Sequence, residues 1–112
     1  MPKFLAIYTG TASATEKAQA EGRIDEAAGM KAWGDWMQAH ARAIVDNGGP
    51  LGKTKKVSPE GITDISNTAA AYVVVEAPSH EAAAEMFRNH PHFTAFPGEG
   101  VDVMPVLDVA EL

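Results

Sequence analysis

The sequence predicts an α+β fold: a ferredoxin-like sandwich in which a mostly antiparallel sheet carries two main helices on one face. Three observations lead there. An apolar, β-branched run, Tyr72 to Ala77, is followed almost at once by a short capped helix. A long amphipathic stretch begins near Asp25. Short apolar strands lie near both ends, at Lys3–Tyr8 and Val101–Leu107. With two short strands between them, the predicted order is β-α-β-β-β-α-β.

Taken in order, Lys3–Tyr8 is apolar on both faces and is broken by Thr9-Gly10. The polar, Ala-rich stretch from Thr11 to Gly22 reads as a surface excursion. Ser13-Ala-Thr-Glu16 within it fits a capping box. From about Asp25 to Asn47 the pattern predicts the long helix, stopped by Asn47-Gly-Gly-Pro50. Met30, Trp33, Met37, His40 and Ile44 form its stripe at about 100° per residue, with Trp36 on one flank and Ala41 and Val45 on the other. Gly29 and Gly34 weaken that helix by roughly 1 kcal/mol each relative to alanine.

Leu51–Ser58 and Ile62–Ile65 read as short strands joined by Pro59-Glu60-Gly61. After the Tyr72–Ala77 strand, Pro78 ends the ladder, Ser79 supplies an N-cap, and Ala83, Met86, Phe87 and His90 share one helix face. Pro91 places the helix end near Asn89. Ala95 to Gly100 is a loop, and Pro105 assigns the last strand to a sheet edge or a bulge.

Composition bounds the function. At 112 residues, 46% hydrophobic and 21% charged, the chain is a single domain spanning 1–112. A net charge of -6 argues against nucleic acid as a partner, because phosphate binding needs a basic face. Lys53, Lys55 and Lys56 are the only basic cluster and read as the charged edge of a short strand. The absence of cysteine excludes disulfides, thiol nucleophiles and thiolate metal sites. No apolar run reaches a membrane span, so no membrane partner is expected and the expected compartment is cytoplasmic.

Besides Lys3–Tyr8, two further strands are apolar on both sides. Val73 and Val75 oppose Tyr72 and Val74; Val101 and Val103 oppose Met104 and Val106. Two helices cover one sheet face only, so the other needs a partner, and a second copy is the simplest. A homodimer packed sheet face to sheet face is expected.

Several segments carry a family resemblance: Lys-Phe-Leu-Ala-Ile-Tyr at the N-terminus, the Trp33/Trp36 helix ending Gly-Gly-Pro-Leu, Tyr-Val-Val-Val-Glu-Ala-Pro-Ser-His-Glu-Ala-Ala-Ala, His-Pro-His, and Val-Asp-Val-Met-Pro-Val. In this order they resemble the YCII-related family of DGPF-domain proteins, over nearly the whole chain except 11–29. The Asp-Gly-Pro-Phe signature itself is replaced by Thr63-Asp-Ile-Ser-Asn-Thr68, and Ala70-Ala71 stands where Gly-Gly often precedes the tyrosine. The resemblance implies the dimeric α/β-barrel fold, which hosts muconolactone isomerases, cofactor-free monooxygenases and small-molecule binding modules.

Histidines are the candidate bases. His40, mid-stripe on the long helix, is the candidate catalytic residue, a general base tuned by partial burial. Trp33, Trp36, Tyr72, His90 and His92 are candidate pocket-lining residues, with His90 or His92 at the mouth. His90 and His92 flank Pro91, and in extended geometry their rings share one side. No third ligand lies nearby, so no metal site is expected. Nothing resembles a phosphate loop, a Rossmann fingerprint or a nucleophile elbow, so no cofactor is expected. The expected function is to bind or transform a small organic molecule. Cofactor-independent isomerase or lyase chemistry by histidine proton transfer fits that set, and the alternative is a non-catalytic ligand-binding or interaction module.

Overall fold

Edge-to-edge pairing of four strands organises the chain. The computed structural model describes residues 1–11, 16–18, 20–22 and 24–111. The capping box at Ser13 lies outside the described residues. Along the chain run β1 (Lys3–Thr9), α1 (Glu26–Ala39), β2 (Ile44–Pro50), β3 (Thr54–Ser58), β4 (Gly61–Ile65), β5 (Ala69–Glu76), α2 (His80–Glu85), α3 (Pro91–Thr94) and β6 (Gly100–Pro105), with a 3-10 turn at Val109–Glu111. The main sheet has the order β2-β5-β1-β6, and every pairing in it is antiparallel. Taken with α1 and α2, these strands form the split β-α-β-β-α-β arrangement. β3 and β4 form a separate two-stranded sheet inserted between β2 and β5.

Three expectations are corrected here. The helix expected over Asp25–Asn47 ends at Ala39; a turn over 40–43 follows, and β2 begins at Ile44. Asp25 is the N-cap, accepting from the Ala28 amide at 3.0 Å. At the other end the chain tightens: Ala41 N–H donates to Gln38 O, and Ala43 and Ile44 N–H both donate to His40 O. Ile44 and Val45 match the helical stripe equally well as residues of a β-branched strand, and the unpaired edge of β5 takes up their backbone. The register along β2 and β5 shifts between Ile44 and Asp46 and again between Asp46 and Gly49. Gly48 there has φ +63°, and a Cβ on it would lie 1.8 Å from the Tyr72 carbonyl oxygen. The expected stop signal at Asn47-Gly-Gly-Pro50 is therefore a strand with an irregular register.

The second correction concerns the middle hairpin. It stays out of the main sheet, and Val57 and Ile62, paired across it, are both largely exposed. The projecting hairpin contributes to a radius of gyration of 15.6 Å, against about 13 Å for a compact chain of this length.

The helix expected from Ser79 to near Asn89 is shorter: α2 ends at Glu85, tighter turns in which the Phe87, Arg88 and His90 amides donate to Ala84, Glu85 and Phe87 carbonyls follow it, and Pro91 opens the separate α3. Ser79 caps α2 by accepting from the Ala82 amide, and Asn89 takes a left-handed conformation with φ 59° before Pro91. β6 is an edge strand with Pro105 as its last residue. Register puts Phe4, Ala6 and Tyr8 of β1 beside Val75, Val73 and Ala71 of β5, and all six side chains share the helix-covered face. Phe4, Ala6, Tyr8, Val73 and Val75 are buried there with Trp36, Ala83 and Phe87. Each large side chain among them contributes about 1.5–3 kcal/mol through burial. The Trp36 indole N–H donates to Met86 O at 3.1 Å, tying α1 to the end of α2.

Candidate functional site

The site is built where α1, the end of β1 and the turn after α2 meet. β1 delivers Tyr8, beside an irregularity that shifts its pairing with β5 between Tyr8 and Thr9. α1 delivers Trp33, whose ring lies 4.8 Å from that of Tyr8 and 4.6 Å from that of His90. α3 delivers the two histidines. His90 is its N-cap and Pro91 follows, so the pair sits on a helical turn rather than on extended chain. Both rings nevertheless reach Tyr8, at 4.9 Å for His90 and 5.3 Å for His92. They face different partners: His90 meets the tyrosine hydroxyl, and His92 meets the β1 backbone at Thr9.

Hydrogen bonds fix the protonation of this cluster. The His92 backbone N–H donates to His90 Nδ1 at 2.9 Å, so that nitrogen carries a lone pair. In neutral His90 the proton is then on Nε2, which lies 3.1 Å from Tyr8 Oη. His92 Nε2–H donates to the Thr9 carbonyl at 2.8 Å. Burial, with smaller effects from His92 and His40, lowers the His90 pKa to about 4. Burial also raises the Tyr8 pKa, so the hydroxyl keeps its proton. At neutral pH His90 and Tyr8 are both uncharged.

A cavity of about 780 Å³ opens against this cluster. Its walls are largely apolar: Met30, Trp33 and Met37 of α1 on one side, Ala71, Tyr72 and Val73 of β5 on another, and Phe96 after α3. Tyr8 and His92 contribute the polar groups deepest in the fold, and Lys53 and Asn67 lie where the hairpin leaves the sheet. Gly29 gives Phe96 its seat, since a Cβ there would fall 2.5 Å from the Phe96 ring.

The structure separates the residues singled out from sequence. Trp33, Tyr72 and His92 line the cavity, Tyr72 from the strand backbone, since register places its side chain on the other sheet face beside Ile7. Trp36 and His90 stand behind that wall: Trp36 packs on Phe87 and His90, and His90 is fully buried. His40 is not on the cavity. It is the C-cap of α1, half-buried, with its ring stacked on Trp36 at 4.3 Å and Nδ1 2.9 Å from Trp36 O. It borders a shallow depression with Gln38, Arg42 and Met86. The early end of α1 causes this displacement, because His40 belongs to the turn rather than to a stripe facing the sheet. Tyr8, missed by sequence reasoning, lies 82 positions from its partner His90, and no local pattern signals such a pair. His80 stacks on Phe4 at 5.5 Å and its Nε2–H donates to Val103 O at 2.7 Å, outside the cavity.

Among the described residues no group of three or more His, Asp or Glu side chains could hold a metal ion. No helix among them is long and apolar enough to cross a membrane.

The fold is thus a mixed α/β one, an antiparallel sheet with few helices and a cavity on its helix-covered side. It is similar to the solved structure of 5-chloro-2-hydroxyhydroquinone dehydrochlorinase from Burkholderia phenoliruptrix AC1100, in complex with 2,5-dihydroxybenzoquinone. The TM-score is 0.58 over 97% of each chain, at 14% sequence identity, a likeness of fold. No family model and no curated protein sequence matches this chain.

Proposed function

We propose that this chain binds a small organic molecule in the cavity between α1 and the sheet, and that His92 and Tyr8 move or share its protons. The observation that carries this reading is the placement of these two buried polar side chains on a largely apolar, ligand-sized wall, whose other polar residues include Lys53 and Asn67 beside the hairpin. An imidazole and a phenol are the donor set of general acid–base chemistry, which suits an isomerase or lyase. The similar dehydrochlorinase was solved with a small cyclic oxygenated molecule bound, which supports a ligand of that size here.

His40, the base expected from sequence, gives way to His92 in this proposal. The test is thermal-shift screening with small carboxylates, phenols and cyclic ketones. Compounds that raise the melting temperature of the wild type should lose that effect in His92→Gln and keep it in His40→Ala. The opposite pattern would return the site to the depression beside His40.

The protein is proposed to act as a homodimer of the dimeric α/β-barrel type, through the sheet face that the helices leave uncovered. Leu5 and Ile7 of β1 sit beside Val74 and Tyr72 of β5 on that face, and Met104 of β6 continues it at 39% exposure. The flat shape, 49 × 43 × 18 Å, leaves room for a second layer. Sedimentation at micromolar concentration should give a dimer that Val74→Asp dissociates, and a monomeric wild type would contradict it.

A further inference from the structure

We infer that the cavity recognises a ligand bearing a carbonyl-type oxygen beside a hydroxyl, the Tyr8 hydroxyl donating to the first and His92 Nδ1 accepting from the second. This rests on the cavity being the ligand site, as proposed above, and adds the hydrogen-bond pattern that selects the ligand.

The His92 N–H can only donate, and it donates to His90 Nδ1 at 2.9 Å. That assigns the single proton of neutral His90 to Nε2, which then donates to Tyr8 Oη across 3.1 Å. The Tyr8 hydroxyl hydrogen is therefore turned away from His90. Tyr8 is 1% exposed and is part of the cavity wall, and no protein acceptor meets that hydrogen among the described residues. A buried donor without an acceptor costs free energy, which a ligand oxygen in the cavity would recover.

The second half is the mirror of the first. His92 Nε2–H is committed to the Thr9 carbonyl at 2.8 Å, so the lone pair of neutral His92 is on Nδ1. No protein group donates to Nδ1, and among the described residues no buried side-chain nitrogen or oxygen lacks a partner. Nδ1 is therefore accessible from outside the protein, and His92 lines the cavity. One fixed donor and one fixed acceptor thus stand on rings whose centres are 5.3 Å apart. Adjacent rings of this kind can serve two oxygens of one small molecule, and a carbonyl oxygen beside a hydroxyl is the most compact such pair. Trp33 and Phe96 offer aromatic surface to its carbon skeleton.

The experiment uses two probes of nearly equal shape, 2-hydroxycyclohex-2-enone and 2-methylcyclohex-2-enone, titrated into the protein and followed by heteronuclear NMR. The hydroxy compound should bind roughly tenfold more tightly than the methyl compound. Tyr8→Phe should weaken both by a similar factor and keep the preference, whereas His92→Gln should abolish the preference. Equal binding of the two probes at the cavity would overturn the donor–acceptor pattern and leave the cavity as the ligand site. Binding of both away from Trp33 and His92 would remove the pattern and the site together. A ligand-free measurement stands beside these: the imidazole nitrogen shifts of the wild type should show His90 and His92 both protonated on Nε2. A proton on His90 Nδ1 would overturn the inference whatever the probes do.

Discussion

Gly48→Ala is expected to lower the stability of this protein by about 3–5 kcal/mol, a fall of roughly 10–20 °C in melting temperature. Two costs combine at this residue. Its φ of +63° is a conformation in which an L side chain costs about 1 kcal/mol. The larger cost is steric, because the added Cβ would lie 1.8 Å from the Tyr72 carbonyl oxygen and 2.6 Å from its carbon. Both are backbone atoms of β5, an interior strand, so relief requires β2 to leave its place beside β5. The pairs Gly49↔Tyr72 and Pro50↔Ala71 would go with it, and these form one wall of the cavity. Gly34→Ala is the control. Nothing lies within 4 Å of the position its Cβ would take, so it should stabilise α1 by about 0.5–1 kcal/mol. Chemical denaturation of the two variants measures both signs, and a Gly48→Ala protein as stable as the wild type would contradict the pairing of β2 with β5.

Acidification should destabilise the fold through His90. Its pKa is lowered to about 4 in the folded protein, against about 6.5 in the unfolded chain. Above pH 6.5 neither state binds a proton at this imidazole, and the folded state has its full stability. Between pH 6.5 and 4 the unfolded chain binds a proton that the folded protein refuses, so stability rises with pH across that window and is lost as pH falls. The full loss is about 3 kcal/mol, since one pKa unit corresponds to 1.36 kcal/mol. Carboxylates add their own slope in the same range, so the measurement is the difference between wild type and His90→Gln. That difference should shrink steadily from pH 7 to pH 4. Parallel stability curves would show that His90 is protonated as easily in the folded protein as in the unfolded chain.

Local signals in the sequence found most of the elements and missed a decisive junction. Ser79, Pro91 and Pro105 each act through their own backbone, and each does in the structure what its chemistry requires. Ile44 and Val45 are different. They suit a helix stripe and a strand alike, and only the free edge of β5, some thirty residues later, decides between them. That one junction moved His40 out of the stripe and away from the cavity. The His90–His92 pair was found for an incomplete reason: spacing suggested rings on one side of an extended chain, whereas Pro91 starts a helical turn and Tyr8 brings them together. Tyr8 reads in the sequence as an ordinary strand aromatic, because what distinguishes it is a hydrogen bond to a histidine 82 positions away.

These placements move the proposed site from α1 to the meeting point of β1 and α3. The most direct test is where a bound molecule sits. A crystal of the protein soaked with 2-hydroxycyclohex-2-enone should show it in the cavity against Trp33, one oxygen within hydrogen-bond distance of Tyr8 Oη and the other of His92 Nδ1. Density for the compound beside His40, Arg42 and Met86, with the cavity wall untouched, would contradict the account.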